Sequence, residues 1–408
     1  MDFGQAVGYL LSLGHETIAI KLGLRNTESL LAALDNPERA FPSVQIAGTN
    51  GKGSTAVMLD SICRAAGIKS GLYTSPHLVS MTERIKVSGV EITPEGFASC
   101  ATVVRVASEQ LEVLPTFFEQ VTAIALLAFR NAGVELAILE TGLGGRLDST
   151  TAANAHIVGI TSIGFDHEEY LGYSIESIAA EKVAIIRPGV RAVIGRQPEP
   201  AALNVLLKRC EEVGVTPILA ESKTTDDLVL GLRGRHQTDN AAVAIAMAEL
   251  LSDEGFAISR SAILEGLKTA KHPGRLELIP HKPSILIDGA HNPAGAQSLR
   301  NYLDELTTRP LTLVFGAMRD KQLEQMGEIL FPIADTLVLT TIDNVRSATV
   351  DQLRSVAERF ARGTILTGES SAEALRIALT HTPADGLICI AGSLYLIGEL
   401  RPLVPGLS

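Results

Sequence analysis

Ser43-Val-Gln-Ile-Ala-Gly-Thr-Asn-Gly-Lys-Gly-Ser-Thr55 reads as a short buried strand, a glycine-rich loop and the start of a helix. The helix continues through Ala56-Val-Met-Leu-Asp-Ser-Ile-Cys-Arg-Ala-Ala66, apolar on one face and closed by Gly67. Gly48, Gly51 and Gly53 let the backbone turn its N–H groups toward one point. A helix N-terminus adds partial positive charge there, and Lys52 adds a full one. Such a loop binds a polyphosphate, so the chain is expected to use a nucleotide. A strict Walker A pattern does not match, because it wants glycine where Ile46 stands and Ser or Thr where Gly53 stands. The blander alternative is a plain glycine-rich strand-to-helix turn.

Outward from this loop, apolar strand-like runs recur at 44–47, 134–140, 156–161, 191–195 and 216–219. Helical periodicity fills the gaps, as at 118–131 and at 175–187, the latter stopped by Pro188-Gly189. Arg84-Ile-Lys-Val-Ser-Gly-Val-Glu-Ile92 alternates about Ser88-Gly89 and predicts a β-hairpin. After Lys271-His-Pro-Gly274 a second strand–helix series begins, with strands at 284–287, 311–315, 336–340 and 386–390. The expected fold is α/β: a phosphate-loop ATPase domain with a mainly parallel sheet over residues 1–272, then a smaller Rossmann-like α/β domain over 273–408.

Bulk properties narrow the function. The 408 residues suffice for two domains, and 20% charged with 46% hydrophobic residues describes an ordinary globular chain. A formal charge of −11 argues against a nucleic-acid binder, without excluding a locally basic pocket for a small anion. Cys63, Cys100, Cys210 and Cys389 are far apart with no CxxC pair, as suits free thiols in a reducing compartment. No secretory leader pattern opens the sequence, and the least charged stretch, 149–165, carries Asn154, His156, Thr161 and Ser162. The expectation is a cytoplasmic protein with no membrane span.

Polar residues gather at strand ends, where open α/β sheets bind ligands. The strand ending at Leu139 runs into Glu140-Thr-Gly-Leu-Gly-Gly-Arg-Leu-Asp148. The next ends in Ile163-Gly-Phe-Asp-His167, and 284–287 ends in Asp288-Gly-Ala-His-Asn-Pro293. Taken singly, Glu140, Asp166, His167, Asp288 and His291 could each be a loop cap. Beside a phosphate loop, oxygen ligands and one imidazole suit a hard divalent cation such as Mg²⁺.

With these motifs in order, the chain resembles the folylpolyglutamate synthase/dihydrofolate synthase family of the Mur ligase superfamily over nearly its whole length. The markers are Ala47-Gly-Thr-Asn-Gly-Lys-Gly-Ser54, Thr74-Ser-Pro-His-Leu78 with Glu83-Arg-Ile85, the Glu140–Asp148 segment, Asp166-His167 with Leu171-Gly172, Glu181-Lys182, His236-Gln237 with Asn240, Pro273-Gly-Arg275 and Asp288-Gly-Ala-His-Asn-Pro293. The Gly-Thr-Asn-Gly-Lys core is shared across the superfamily, and Thr-Ser-Pro-His-Leu is more specific to the folate branch.

The resemblance implies an ATP-dependent ligase that phosphorylates a carboxylate and lets the amine of L-glutamate displace the phosphate. Gly48, Thr49, Asn50, Gly51, Lys52, Gly53 and Ser54 would hold the ATP phosphates, with Lys52 on the terminal one. Asn240 and Arg275 would contact ATP from the first domain and the linker, and Asp288 and His291 from the second domain. Ser54, Ser75 and Glu140 would ligate a first Mg²⁺, and His167 a second, with Glu140 bridging. Lys182 matches a lysine that is carbamylated in many family members. Thr116, Phe118 and Asp148 fall where the pterin of dihydropteroate would sit, and Ser75, Pro76 and His77 form a further substrate segment. Thr141, Ser149 and Thr151 depart from the valine, alanine and asparagine common in the family, and Gln322 from a frequent acid.

Small-molecule partners and a monomer are expected. Two alternatives stand beside this reading. One is a cell-wall ligase of the same superfamily acting on a UDP-linked substrate, although only about 42 residues precede the first phosphate-loop strand, few for a UDP-binding domain. The other is a phosphate-loop NTPase without ligase activity.

Overall fold

Buried five-residue runs such as Ser43–Ala47 and Leu136–Glu140 pair side by side to make the first of two sheets. The computed structural model describes residues 1–14, 23–222, 228–306 and 310–404. It divides into two compact units, Met1–Gly231 with Gln237–Lys271, and Leu232–His236 with His272–Ser408. The short segment Leu232–His236 thus packs with the second unit although it precedes the last helices of the first.

In the first unit the strands are β1 (Ser43–Ala47), β2 (Ser70–Tyr73), β3 (Ile85–Val87), β4 (Val90–Glu91), β5 (Leu136–Glu140), β6 (Ile157–Ile160), β7 (Arg191–Ile194) and β8 (Ile218–Leu219). They form one sheet in the order β4-β3-β2-β5-β1-β6-β7-β8. All neighbours are parallel except β2 with β3 and β3 with β4, which make the expected hairpin about Ser88-Gly89. One hydrophobic core lies under the helices Pro94–Ser108 and Phe117–Ala132, and another under Ile175–Val183 and Pro200–Glu212. Helices thereby cover the strands of a parallel sheet.

The chain leaves β1, enters helix Lys52–Ala65 and returns in β2, with β5 seated between the two strands; β6 then lies on the other side of β1. The carboxyl ends of β5, β1 and β6 are therefore adjacent at the place where strand order reverses, and that place is where such sheets bind ligands.

In the second unit β9 (Glu277–Ile279), β10 (Ser284–Ile287), β11 (Leu311–Phe315), β12 (Thr336–Thr340), β13 (Thr364–Gly368) and β14 (Leu387–Ala391) order as β13-β12-β11-β14-β10-β9. Only β9 runs antiparallel, at the edge. This sheet has its own core, centred on Leu286, Leu313, Phe315, Leu337, Leu339 and Cys389. The four cysteines are free and buried. Among the described residues no helix is long and apolar enough to cross a membrane.

Two expectations shift. The run 216–219 pairs only at Ile218 and Leu219, which are exposed at the sheet edge and so lack burial to extend the ladder. The helix from 175 ends at Val183 rather than Arg187, and Ile186 closes back on Val183 in a turn before Pro188.

Candidate active site

The phosphate loop follows β1 as expected. Gly51 caps helix Lys52–Ala65 in a left-handed conformation, φ 92°. A Cβ there would lie 2.1 Å from Asn240 Oδ1, so glycine lets the first turn of helix His236–Asp253 close over the loop. Gly48, φ 151°, abuts Thr161, the residue following β6; a Cβ would come within 1.9 Å of its Oγ1. Asn240 Nδ2 donates to Gln237 Oε1 at 2.9 Å, and Gln237 Nε2 donates to Ser54 Oγ at 3.4 Å. Thr49 N and Asn50 N both donate to Ser162 O, and Thr49 Oγ1 exchanges bonds with Gly164, which ties the loop to the exit of β6.

Two lysines converge on this loop. Lys52 Nζ donates to Thr49 O at 3.1 Å, and Lys182 Nζ donates to Gly48 O at 3.0 Å. Lys182 is 4% exposed, on the inner face of helix Ile175–Val183. Burial, and then the positive charge of Lys52, push its pKa down to about 7, against the pull of Asp166 and Asp148. Lys182 thus turns inward, onto the phosphate loop.

Glu140 closes β5 and is 6% exposed; its Oε2 accepts from Ser75 N at 3.1 Å. This bond brings the Thr-Ser-Pro-His segment beside the acidic strand end. Glu83 holds that segment by accepting from Leu78 N, Val79 N and Ser80 N, at 2.7–2.8 Å. The buried Arg84 donates from Nε to His77 Nδ1 at 2.8 Å and lies over the Phe117 ring. Accepting at Nδ1 places the neutral His77 proton on Nε2. His167 has φ 53°, a left-handed conformation uncommon outside glycine and found at functional sites, and its N–H donates to Asp166 Oδ1.

Thr116 caps helix Phe117–Ala132 in a reciprocal pair with Glu119. Phe118 lies against Gly142 of the acidic loop, where a Cβ would be 2.4 Å from its Cζ. Asp148 is bonded within its own loop. Its Oδ2 accepts from Gly142 N and Leu143 N, and its Oδ1 from Thr150 N and Thr150 Oγ1, at 2.5–3.0 Å. Four bonds fill a carboxylate's capacity, so Asp148 closes its own loop. Burial raises its pKa, and the Thr150 hydroxyl is the first force opposing that.

In the second unit Asp288 is buried after β10 and accepts from Leu276 N and Ala290 N, each at 2.9 Å. Burial raises its pKa, with Arg275 the main opposing charge. Arg275 Nη1 and His291 Nδ1 both reach Gly289 O, at 3.4 and 2.8 Å. The three residues are thus gathered round one turn.

Among the described residues no group of three or more His, Cys, Asp or Glu could hold a metal ion. The donors that do fit Mg²⁺ are a buried carboxylate, Glu140, and the hydroxyls of Ser54 and Ser75, a hard-oxygen set of the kind that shares a cation with substrate phosphates. Motif reading missed Gln45, the one long polar side chain in β1, although a glutamine within a fully buried strand is itself a signal.

A Mur ligase middle domain is matched over residues 46–199, and a Mur ligase glutamate ligase domain over 274–394. The fold and the phosphate-loop site therefore define a ligase of the Mur class. A Bacillus subtilis protein named dihydrofolate synthase/folylpolyglutamate synthase is 32% identical, covering 95% of this chain and 96% of its own length. Escherichia coli FolC in complex with DHPP and ADP is 30% identical, with 99% of this chain and 97% of that one covered at a TM-score of 0.88. A bifunctional folylpolyglutamate synthase/dihydrofolate synthase with Mn, AMPPNP and L-glutamate bound is 29% identical, with 99% and 98% covered at a TM-score of 0.86. The chain belongs to the dihydrofolate synthase/folylpolyglutamate synthase family.

Proposed function

We propose that this ligase uses ATP to join L-glutamate to a pteroyl carboxylate: to dihydropteroate, giving dihydrofolate, and to the γ-carboxylate of folates, extending a polyglutamate tail. The observation that carries this reading is the meeting of the phosphate loop, the Glu140 strand end and the His167 loop on three adjacent parallel strands in a chain of this family. The acceptor carboxylate attacks the γ-phosphorus of ATP, and ADP leaves. The amine nitrogen of glutamate then attacks the acyl carbon, phosphate leaves with the bonding electrons, and the nitrogen loses a proton.

Gly48 to Ser54 would hold the phosphates through backbone N–H groups, with Lys52 leaving Thr49 O for the γ-phosphate. Asn240 seats the loop against helix His236–Asp253, and Arg275, Asp288 and His291 are the second unit's candidate nucleotide contacts. Ser54, Ser75, Glu140 and His167 would hold Mg²⁺, in two sites; the cation supplies charge neutralisation on the transferring phosphoryl group. Thr116, Phe118, Ser75, Pro76 and His77 would line the acceptor pocket, and Asp148 would shape it through its loop. Lys182, neutral in part at pH 7, has the free amine that a carbamate requires, and that modification belongs to this proposal. A cytoplasmic monomer is the accompanying expectation.

Phosphate release from ATP tests the reading. It should require glutamate and a pteroyl acceptor together. Release that ignores glutamate would replace the ligase with a simple NTPase.

A further inference from the structure

All five residues of β1 are buried, and the central one is Gln45, with no exposed surface. Burying an amide is costly unless its donors and acceptor are paired. Its Nε2 donates to Thr151 Oγ1 at 2.8 Å and Thr150 Oγ1 at 2.9 Å, with Thr141 Oγ1 at 3.3 Å. Two of these hydroxyls pass the interaction on: Thr150 Oγ1 donates to Asp148 Oδ1 at 2.5 Å, and Thr151 Oγ1 donates to Gly145 O at 2.8 Å. A hydroxyl has one proton, so each can give it to the loop while accepting from the amide. Asp148 then gathers Gly142 N and Leu143 N, and Gly142 lies against the Phe118 ring.

Gln45 Oε1 is buried with no hydrogen-bond partner. A residue serving only to fill space would not carry that cost, and an apolar side chain of the same length would avoid it. The threonines at 141 and 151 are both partners of this amide.

We propose that Gln45 is a positioning residue for the acyl acceptor: through Thr150–Asp148 and Thr151–Gly145 it fixes the 141–151 loop against Phe118. This rests on the acceptor-pocket reading above. Gln45 acts from beneath the loop and reaches it through the hydroxyls of Thr150 and Thr151 and, at 3.3 Å, of Thr141.

The test uses Gln45→Met, which keeps length and removes both the donors and the orphan oxygen, and Thr150→Val, which cuts one branch at constant shape. Each should raise the acceptor KM about 5–10-fold, the rough equivalent of one lost neutral hydrogen bond. The KM for ATP should stay within about twofold, because the phosphate loop is tied to Ser162, Gly164 and Gln237, which neither variant touches. The double variant should fall short of the product of the two effects, since both act on one chain of bonds. Amide hydrogen exchange at Gly142 and Leu143 should quicken in both variants, and this reads the proposal even if no pteroyl acceptor turns over. A stable Thr150→Val or Gln45→Met protein with wild-type acceptor KM and wild-type exchange at these amides would overturn it. Equal rises in the KM values of ATP and acceptor would overturn it too, by showing a general loss of structure.

Discussion

Lys182 is a cationic side chain held 4% exposed against the carbonyl of Gly48. Its pKa falls from 10.5 unfolded to about 7 folded. Below about pH 7 both states hold the proton, and folding bears the whole cost of burying the charge. Between about 7 and 10.5 the unfolded chain holds more protons than the folded one, so this group makes stability rise with pH. Urea unfolding of wild type and Lys182→Met at pH 6.5 and 9 isolates the effect: the wild type should gain stability relative to the variant at the higher pH. A difference that does not change with pH would mean the ammonium stays charged in the fold. Lys52 behaves differently, being only partly buried and bonded to its own loop. Lys52→Ala should therefore fold normally yet lose turnover by ~10²–10³-fold, because a charge facing the transferring phosphoryl group is gone. Near wild-type kcat would remove the phosphate-binding assignment.

Among the elements, the strands whose both faces are buried were legible in the sequence, because continuous apolar runs stand out: 284–287, 311–315 and 336–340 match β10, β11 and β12 to the residue. β2, β9 and β13 were not, for different reasons. Ser70-Gly-Leu-Tyr73 has too little apolar length to signal a strand, β9 is a three-residue edge, and β13 is half exposed, so its pattern is diluted. The candidate site residues Lys52, Glu140 and His167 stood out in the sequence, since each follows or ends a recognisable run. The residues that brace the neighbouring loops were harder to read: Gln45 acts through hydroxyls up to 106 positions away in sequence, and Glu83 and Arg84, though part of a quoted motif, act through the N–H groups of 78–80 and through His77. The end of β5 gives a prediction of its own. Glu140→Gln preserves shape and the Ser75 N–H bond but removes the negative charge. The Mg²⁺ concentration for half-maximal rate should rise about tenfold or more, the scale of a lost charged ligand contact. An unchanged Mg²⁺ titration would leave Glu140 as a cap for the Ser75 segment only.

For the whole molecule, an acidic chain of net charge −11 that on the proposed reading handles three anionic substrates needs local attraction. On the proposed reading Lys52 and the N–H groups of the phosphate loop provide it for ATP. The acceptor pocket proposed above would be built otherwise, from a capped helix start, an aromatic ring and a loop closed by hydroxyls, and its selectivity would follow from shape and hydrogen bonding. A pteroyl ring system is common to dihydropteroate and folates, whereas their reacting carboxylates differ in distance from that ring. A site that reads the ring through Phe118 and the 141–151 loop can serve both only if the substrate places either carboxylate at the phosphate loop. Offered dihydropteroate, ATP and glutamate, the protein should form dihydrofolate; offered a reduced folate instead, it should add one or more glutamates. Product mass resolves the two. Turnover with the folate alone would make it a polyglutamate synthase, and turnover with dihydropteroate alone a dihydrofolate synthase. Turnover with neither, but with a UDP-muramoyl compound, would move the substrate to the cell-wall branch and leave the phosphate-loop chemistry in place. Thr150→Val should weaken both pteroyl reactions in parallel, because on the proposed reading the loop it holds would meet the ring they share rather than the carboxylate by which they differ.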